Sequence, residues 1–181
     1  MKRALPIVLL AAGALALPAG NVLAQGFASG RVAKQNAAGG VTAGQGRAFK
    51  GENGGFAGGR GFATDGAGNA AGGSAQAFKG PNGAEGARAG TWSRAADGSA
   101  THESGGAVSG VNGSATTSGS ATRDASGNTT GSRSTSATAN SGAAYDGSTT
   151  YASGSGVSHS GTCTDASGNV VITKTASCRR K

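Results

Sequence analysis

His102-Glu103-Ser104 sets a base, an acid and a hydroxyl side by side. These are the three residue types of a nucleophilic triad. A triad is assembled in space, not by adjacency, and no pocket-forming apolar cluster accompanies this trio, so it reads as solvated surface. Two further stretches look chemical: AFKGENG at 48–54 and AFKGPNG at 77–83. A phosphate-cradling loop needs its lysine after the glycines and a helix behind it. Here the lysine precedes them, and the stretch occurs twice, which points to turn chemistry. Gly58-Gly59-Arg60-Gly61 approaches a calcium-binding repeat but has Ala63 where aspartate is required. Asp65-Gly-Ala-Gly-Asn69 opens like a calcium loop and lacks the later bidentate glutamate. No catalytic set, metal or cofactor is expected from these residues.

Positive charge is the stronger signal. Residues 25–181 hold 14 Lys and Arg against 8 acids, a net charge of +6. Period-two alternation puts Arg88, Trp92 and Arg94 on one face of a strand, with Ala89, Thr91 and Ser93 on the other. Such a face can meet a phosphate or sulfate polymer by charge and stacking. Lys50, Lys79 and the terminal Arg179, Arg180 and Lys181 join it as candidate polyanion contacts. The plainer reading is solubility charge, with arginine covering the tryptophan through a cation–π contact.

The elements that must carry these residues follow a leader. Lys2 and Arg3, the apolar run 7–17 and the small-residue pattern Val22-Leu23-Ala24 read as an export signal cleaved after Ala24. The expected location is secreted or periplasmic, with no transmembrane segment after signal removal. All six leucines and the single methionine lie in the leader. Beyond it, Leu, Ile, Val and Phe total 13 of 157 residues, far below the one-fifth level under which an ordinary globular core is improbable. Order has to come from backbone ladders, close packing of small residues, self-association and covalent stapling. The staple is expected between Cys163 and Cys178, the only two cysteines, in an exported chain where disulfides persist.

Asn or Asp with Gly recurs after an apolar or small residue: Phe49-KGENG, Phe62-ATDG, Phe78-KGPNG, Trp92-SRAADG, Val108-SGVNG, Thr122-RDASGN, Tyr145-DG and Cys163-TDASGN. Asn82, Asp97 and Asn112 stand fifteen apart, and the two AFKG copies 29 apart. In both DASGN copies the aspartate can cap a turn while glycine takes the left-handed position of a bulged hairpin loop. Most acids therefore read as turn-formers. Val170-Val171-Ile172-Thr173 is the clearest β-branched run, and no segment has apolar residues at helical spacing. If 158–164 and 170–177 pair about the second DASGN, Cys163 lies near the turn and Cys178 at the far end. The chain must then turn again, or a solenoid-like step must bring the cysteines together.

The expected fold is mainly β: irregular tandem short-strand repeats, β-solenoid-like or β-meander, with Gly/Asn/Asp turns and partial disorder. The alternative is a largely disordered low-complexity chain. Five zones are expected: the signal at 1–24, a Gly/Ala-rich lead-in at 25–45, a Gly-rich aromatic repeat region at 46–108, a Ser/Thr-rich repeat or stalk at 109–160 and a disulfide-closed segment at 161–181. DASGN before a β-branched run resembles one turn of the tyrosine–aspartate repeats of bacterial wrapping proteins, without the companion tyrosines. The fifteen-residue small-residue step is similar to trimeric autotransporter heads, without their motif or anchor. Composition alone is similar to glycine-rich antimicrobial proteins. The expected function is a non-catalytic exported component of the envelope, surface or matrix, structural or adhesive. The alternatives are a polyanion binder for extracellular DNA, anionic polysaccharide or lipopolysaccharide, and a secreted antimicrobial or interbacterial factor. The expected partners are a second copy of the chain or an anionic surface polymer, with nucleic acid only as an extracellular polyanion.

Overall fold

A computed structural model describes residues 26–171. The chain runs back and forth as eleven strands in one sheet whose spatial order equals the sequence order. They are β1 (Gly26–Gln35), β2 (Val41–Gly51), β3 (Gly54–Thr64), β4 (Ala70–Lys79), β5 (Glu85–Arg94), β6 (Ala100–Gly110), β7 (Gly113–Arg123), β8 (Thr129–Ala139), β9 (Ala144–Ala152), β10 (Gly156–Thr164) and β11 (Val170–Val171). Every neighbour pair is antiparallel. Apart from a single 3₁₀ turn at Pro81–Gly83, no helix is present among the described residues, and none there is long and apolar enough to cross a membrane. The fold is a β-meander; the solenoid-like expectation gives way, because each strand returns beside its predecessor instead of stacking in parallel coils.

Turn chemistry drives each return. At residues 124–128 and 165–169 the aspartate N–H donates to the asparagine carbonyl four residues on, and glycine N–H donates back to the aspartate carbonyl. Gly127 and Gly168 occupy the left-handed region at φ 93° and 83°, as bulged hairpin loops require. Residues 36–40 and 95–99 repeat the same pair of backbone bonds. Two hairpins are tighter: only residues 52–53 join β2 to β3, and only 111–112 join β6 to β7. The glycines that follow them, Gly54 and Gly113, sit at φ 138° and 141°, where a Cβ would collide with the carbonyl oxygens of Lys79 and Thr138. Turns at one end are laced to their neighbours. Asn36 Nδ2 donates to the Thr64 carbonyl at 2.7 Å, and Asn69 Oδ1 accepts from the Ala96 N–H at 3.0 Å.

Two sequence expectations shift at this level. Tyr145-Asp146-Gly147 is not a turn: it lies inside β9, with Asp146 opposite Ser136 and Thr162. The turn comes earlier, at residues 140–143. The 29-residue spacing of the AFKG copies is one strand down and one strand back, so Ala48–Gly51 on β2 and Ala77–Lys79 on β4 occupy equivalent places two strands apart. The Ser/Thr-rich stretch forms β7 to β10, a polar continuation of the same sheet.

The sheet is a single layer. Only Gly40, Ala57 and Cys163 are buried among the described residues, and Phe27, Phe49 and Val157 are more than half exposed. Cys163 sits on β10 opposite Tyr145 and Val171, close to the DASGN turn as the hairpin reading requires. Cys178, and with it the expected staple, lies outside the described residues.

Candidate functional site

Directly opposed residues of antiparallel strands share a face, and the register is unbroken from β1 to β10, so each residue can be assigned to one side. One row runs Phe27, Phe49, Phe56, Phe78, Gly86, Val108 across β1 to β6 and ends at Tyr145, Cys163 and Val171. A parallel row six residues along the strands carries Phe62, Trp92, His102 and Tyr151. Between and beside these rows stand Arg31, Arg47, Arg60, Arg88, Arg94, Arg123 and Arg133. All eight aromatic residues and all seven described arginines therefore share one face. None of the eight acids does: Glu52, Asp65, Asp97, Asp124 and Asp165 are in turns, and Glu85, Glu103 and Asp146 point the other way.

The opposite face is built from small residues. Its central rows read Ala28, Ala48, Ala57, Ala77, Ala87, Ala107 and Gly30, Gly46, Gly59, Ala75, Ala89, Gly105 over β1 to β6, continuing as Ser118, Ser134, Ser148 and Ser160. The three described lysines, Lys34, Lys50 and Lys79, project here. The candidate contacts thus divide. Arg88, Trp92 and Arg94 stand together as alternation predicts, whereas Lys50 and Lys79 lie on the other side, opposite Gly55. Arg179, Arg180 and Lys181 lie outside the described residues. His102 and Glu103, adjacent in β6, project from opposite faces, so the structure does not assemble the tripeptide into a triad.

Space for the large rings comes from glycine on the neighbouring strands. A Cβ on Gly72 would sit 2.8 Å from the Trp92 indole, and one on Gly86 would strike the Phe78 ring. Gly147 and Gly161 clear room for Tyr145 in the same way. Each ring lies over backbone, which shields ladder hydrogen bonds and lowers the cost of an exposed aromatic. His159 is held by Thr149 Oγ1 at 2.8 Å and the Tyr145 hydroxyl at 3.3 Å.

The arginines are positioned too. The Arg47 guanidinium lies 5.3 Å from the centroid of the Phe56 ring, a cation–π distance. With the Gln45 amide oxygen turned toward it, Arg60 donates through Nε and Nη2 at 2.9 and 3.0 Å. Gln76 receives Arg88 in the same bidentate manner. Each glutamine uses a neutral acceptor to steady a guanidinium, so the charge is left uncompensated for an incoming anion. Sequence reading missed Arg31, Arg47, Arg60, Arg123 and Arg133, whose shared parity shows only once each strand's register is fixed.

The turn carboxylates act structurally. Asp65 accepts from the Ala67 and Asn69 N–H groups and from the Asn69 side chain; Asp124 and Asp165 repeat the last two contacts with Asn128 and Asn169. The Asn69 side chain is the main cause holding Asp65 below the usual carboxylate range, the Ser99 side chain for Asp97, the Asn128 side chain for Asp124 and the Asn169 N–H for Asp165.

Together these features define an open β-meander with one arginine–aromatic face and one small-residue face. The chain matches no family model, and no curated protein or solved structure gives a significant match.

Proposed function

We propose that this chain is an exported, non-catalytic component of the cell envelope or extracellular matrix, and that its adhesive contact is with an anionic polymer held on the arginine–aromatic face. The observation that carries the polymer contact is the segregation itself: seven arginines, eight aromatics and no acid on one side of an open sheet. Planar guanidiniums grip phosphate or sulfate bidentately, and exposed rings offer stacking surfaces to bases or sugars. Rows of strand-spaced charge suit an extended polymer more than a compact ligand. The export half of the reading rests on residues 2–24, which lie outside the described residues.

The test is a binding titration against two probes, a single-stranded oligodeoxynucleotide and a sulfated polysaccharide, at increasing salt. Binding is expected to weaken steeply with salt. R60A/R88A should lower affinity more than tenfold and reduce the logarithmic salt slope by roughly 1.4 for the oligonucleotide, since each phosphate contact contributes ~0.7 on a single strand. K50A/K79A, on the other face, should leave affinity within about twofold. Salt-independent binding, or equal losses from both faces, overturns the reading. Preference between the two probes identifies the polymer class.

A further inference from the structure

Arginines and rings are not scattered over their shared face; over β1 to β5 they are sorted into lanes that cross the strands. Mid-strand positions of β1, β2, β3 and β5 carry Arg31, Arg47, Arg60 and Arg88. Two to four residues toward one end, Phe27, Phe49, Phe56 and Phe78 form an unbroken row over β1 to β4. We infer that this strip is a binding site for single-stranded nucleic acid, whose backbone crosses the strands over the arginines while its bases stack on the phenylalanines. Such a site rests on the anionic-polymer reading of this face and adds the class of polymer and its direction.

Local charge selects the crossing direction. Arg88, Trp92 and Arg94 on β5 offer a path along a single strand. At that end of the sheet, however, Arg94 lies three residues from Asp97 and Arg123 directly precedes Asp124, so turn carboxylates stand close to both cations. The mid-strand arginines have neutral supports instead: the Phe56 ring for Arg47, and the Gln45 and Gln76 oxygens for Arg60 and Arg88. Among the turns at the phenylalanine end of β1 to β5, Glu52 is the one acid. From β1 to β5 the arginine positions span about 19 Å at ~4.8 Å per strand, so a short oligonucleotide can engage all four.

Polymer chemistry selects the class. A single nucleic-acid strand carries its anions along one side and flat π faces along the other. The strip has the same division, with guanidiniums in one lane and rings in the next. Guanidinium planes also accept stacked bases, and Arg47 already lies 5.3 Å from the Phe56 centroid. A sulfated polysaccharide spreads its anions around puckered rings and presents no flat edge, so it would use the arginines and leave the phenylalanine row idle. The row is accessible: Phe27 is 71%, Phe49 53% and Phe78 46% exposed. Glycine lets these rings rest against the sheet, since a Cβ on Gly51, Gly58 or Gly86 would stand 3.0, 2.9 or 2.6 Å from the Phe49, Phe56 or Phe78 ring. Rings held this way lose little rotamer freedom when a base stacks on them.

Fluorescence anisotropy with labelled probes tests the site. The wild type is expected to bind an oligothymidylate of about twelve nucleotides more than tenfold tighter than an abasic deoxyribose-phosphate chain of equal length and charge, because only the first has bases to stack. Equal affinity for the two, or tighter binding of a sulfated polysaccharide than of oligothymidylate, overturns the nucleic-acid site and leaves the polymer reading standing. No binding of any of the three removes both. R47A/R60A should weaken oligothymidylate more than tenfold. F49L/F78L should weaken it about tenfold while leaving the abasic chain within about twofold. R94A/R123A, outside the strip, should cost about twofold or less at ~0.15 M salt; a loss equal to that of R47A/R60A overturns the crossing path. Circular dichroism checks the fold of each variant, and should F49L/F78L not fold, the comparison of probes on the wild type decides.

Discussion

The two faces of this sheet are written by alternate residues of the same strands, yet they differ in almost every physical respect. On one side Phe56, Trp92 and Tyr145 stand on glycine-cleared backbone, and arginines are steadied by Phe56, Gln45 and Gln76. On the other, alanine and glycine over β1–β6 pass into serine and threonine over β7–β10, and hydroxyls bond across strands, as in Ser118–Ser134 at 2.9 Å and Thr122–Thr130 at 2.9 Å. The contrast shows that a single layer can divide its labour by parity. The side that keeps bulk also keeps the described arginines, while the side stripped of bulk carries the described lysines and the three strand acids. Neither face carries a core, so the backbone ladder and its turns hold the fold.

The difference between the faces can be probed by substitution. The largest effect is expected from filling a glycine shelf. In Gly72→Val the new side chain occupies the space of the Trp92 indole and approaches the Gly61 carbonyl at 2.7 Å, which should cost about 2 kcal/mol by overpacking. Ala71→Ser, one residue away but on the small face, should change stability by less than ~0.5 kcal/mol. Urea denaturation with tryptophan fluorescence distinguishes the two, and equal effects would show that the faces are not packed differently. A smaller loss is expected for Phe56→Ala, which removes both the centre of the aromatic row and the ring beneath Arg47. Roughly 1 kcal/mol follows from an aromatic pair and a partly exposed cation–π contact, and polymer affinity should fall with it.

Acid provides the smallest perturbation, and one that touches neither face. Asp65, Asp97, Asp124 and Asp165 have folded pKa values held below the ordinary carboxylate value by hydrogen bonds that require the ionised form. Their contribution is therefore complete above the unfolded pKa of about 3.9 and is lost as pH falls through the lower folded values. The urea midpoint should stay level from neutral pH to about pH 4 and decline below it. D124A/D165A should start lower and decline less steeply. A wild-type midpoint that holds level down to pH 2 would remove these turns from the account of stability.

Much of the local structure is legible in the residues. DASGN specifies its hairpin because aspartate caps the loop and glycine supplies the left-handed position, and alternation alone places Arg88, Trp92 and Arg94 together. Face assignment across turns is another matter. Lys50 and Gly55 are five residues apart, Lys79 and Glu85 six, yet both are directly opposed pairs. Turn length sets whether parity is kept or inverted, and that depends on backbone geometry at Asn53-Gly54 and at Asn82, whose φ is 58°. The same uncertainty hid five arginines and grouped Lys50 and Lys79 with Arg88. Tyr145-Asp146-Gly147 misleads for a related reason: an Asp-Gly pair favours a turn locally, but pairing with both β8 and β10 keeps it extended.

Residue types alone show that this protein has no ordinary core, that its strands alternate by parity and which residues close many of its turns, because composition and turn chemistry act within a few residues; that ten of the strands run to 9–11 residues is not legible there. Strand pairing adds that the strands return beside one another as a meander, and that the seven described arginines and the rings gather on one side while the three described lysines and the three strand acids occupy the other. Those outcomes depend on strand register, which is fixed by hydrogen bonds between residues distant in the chain.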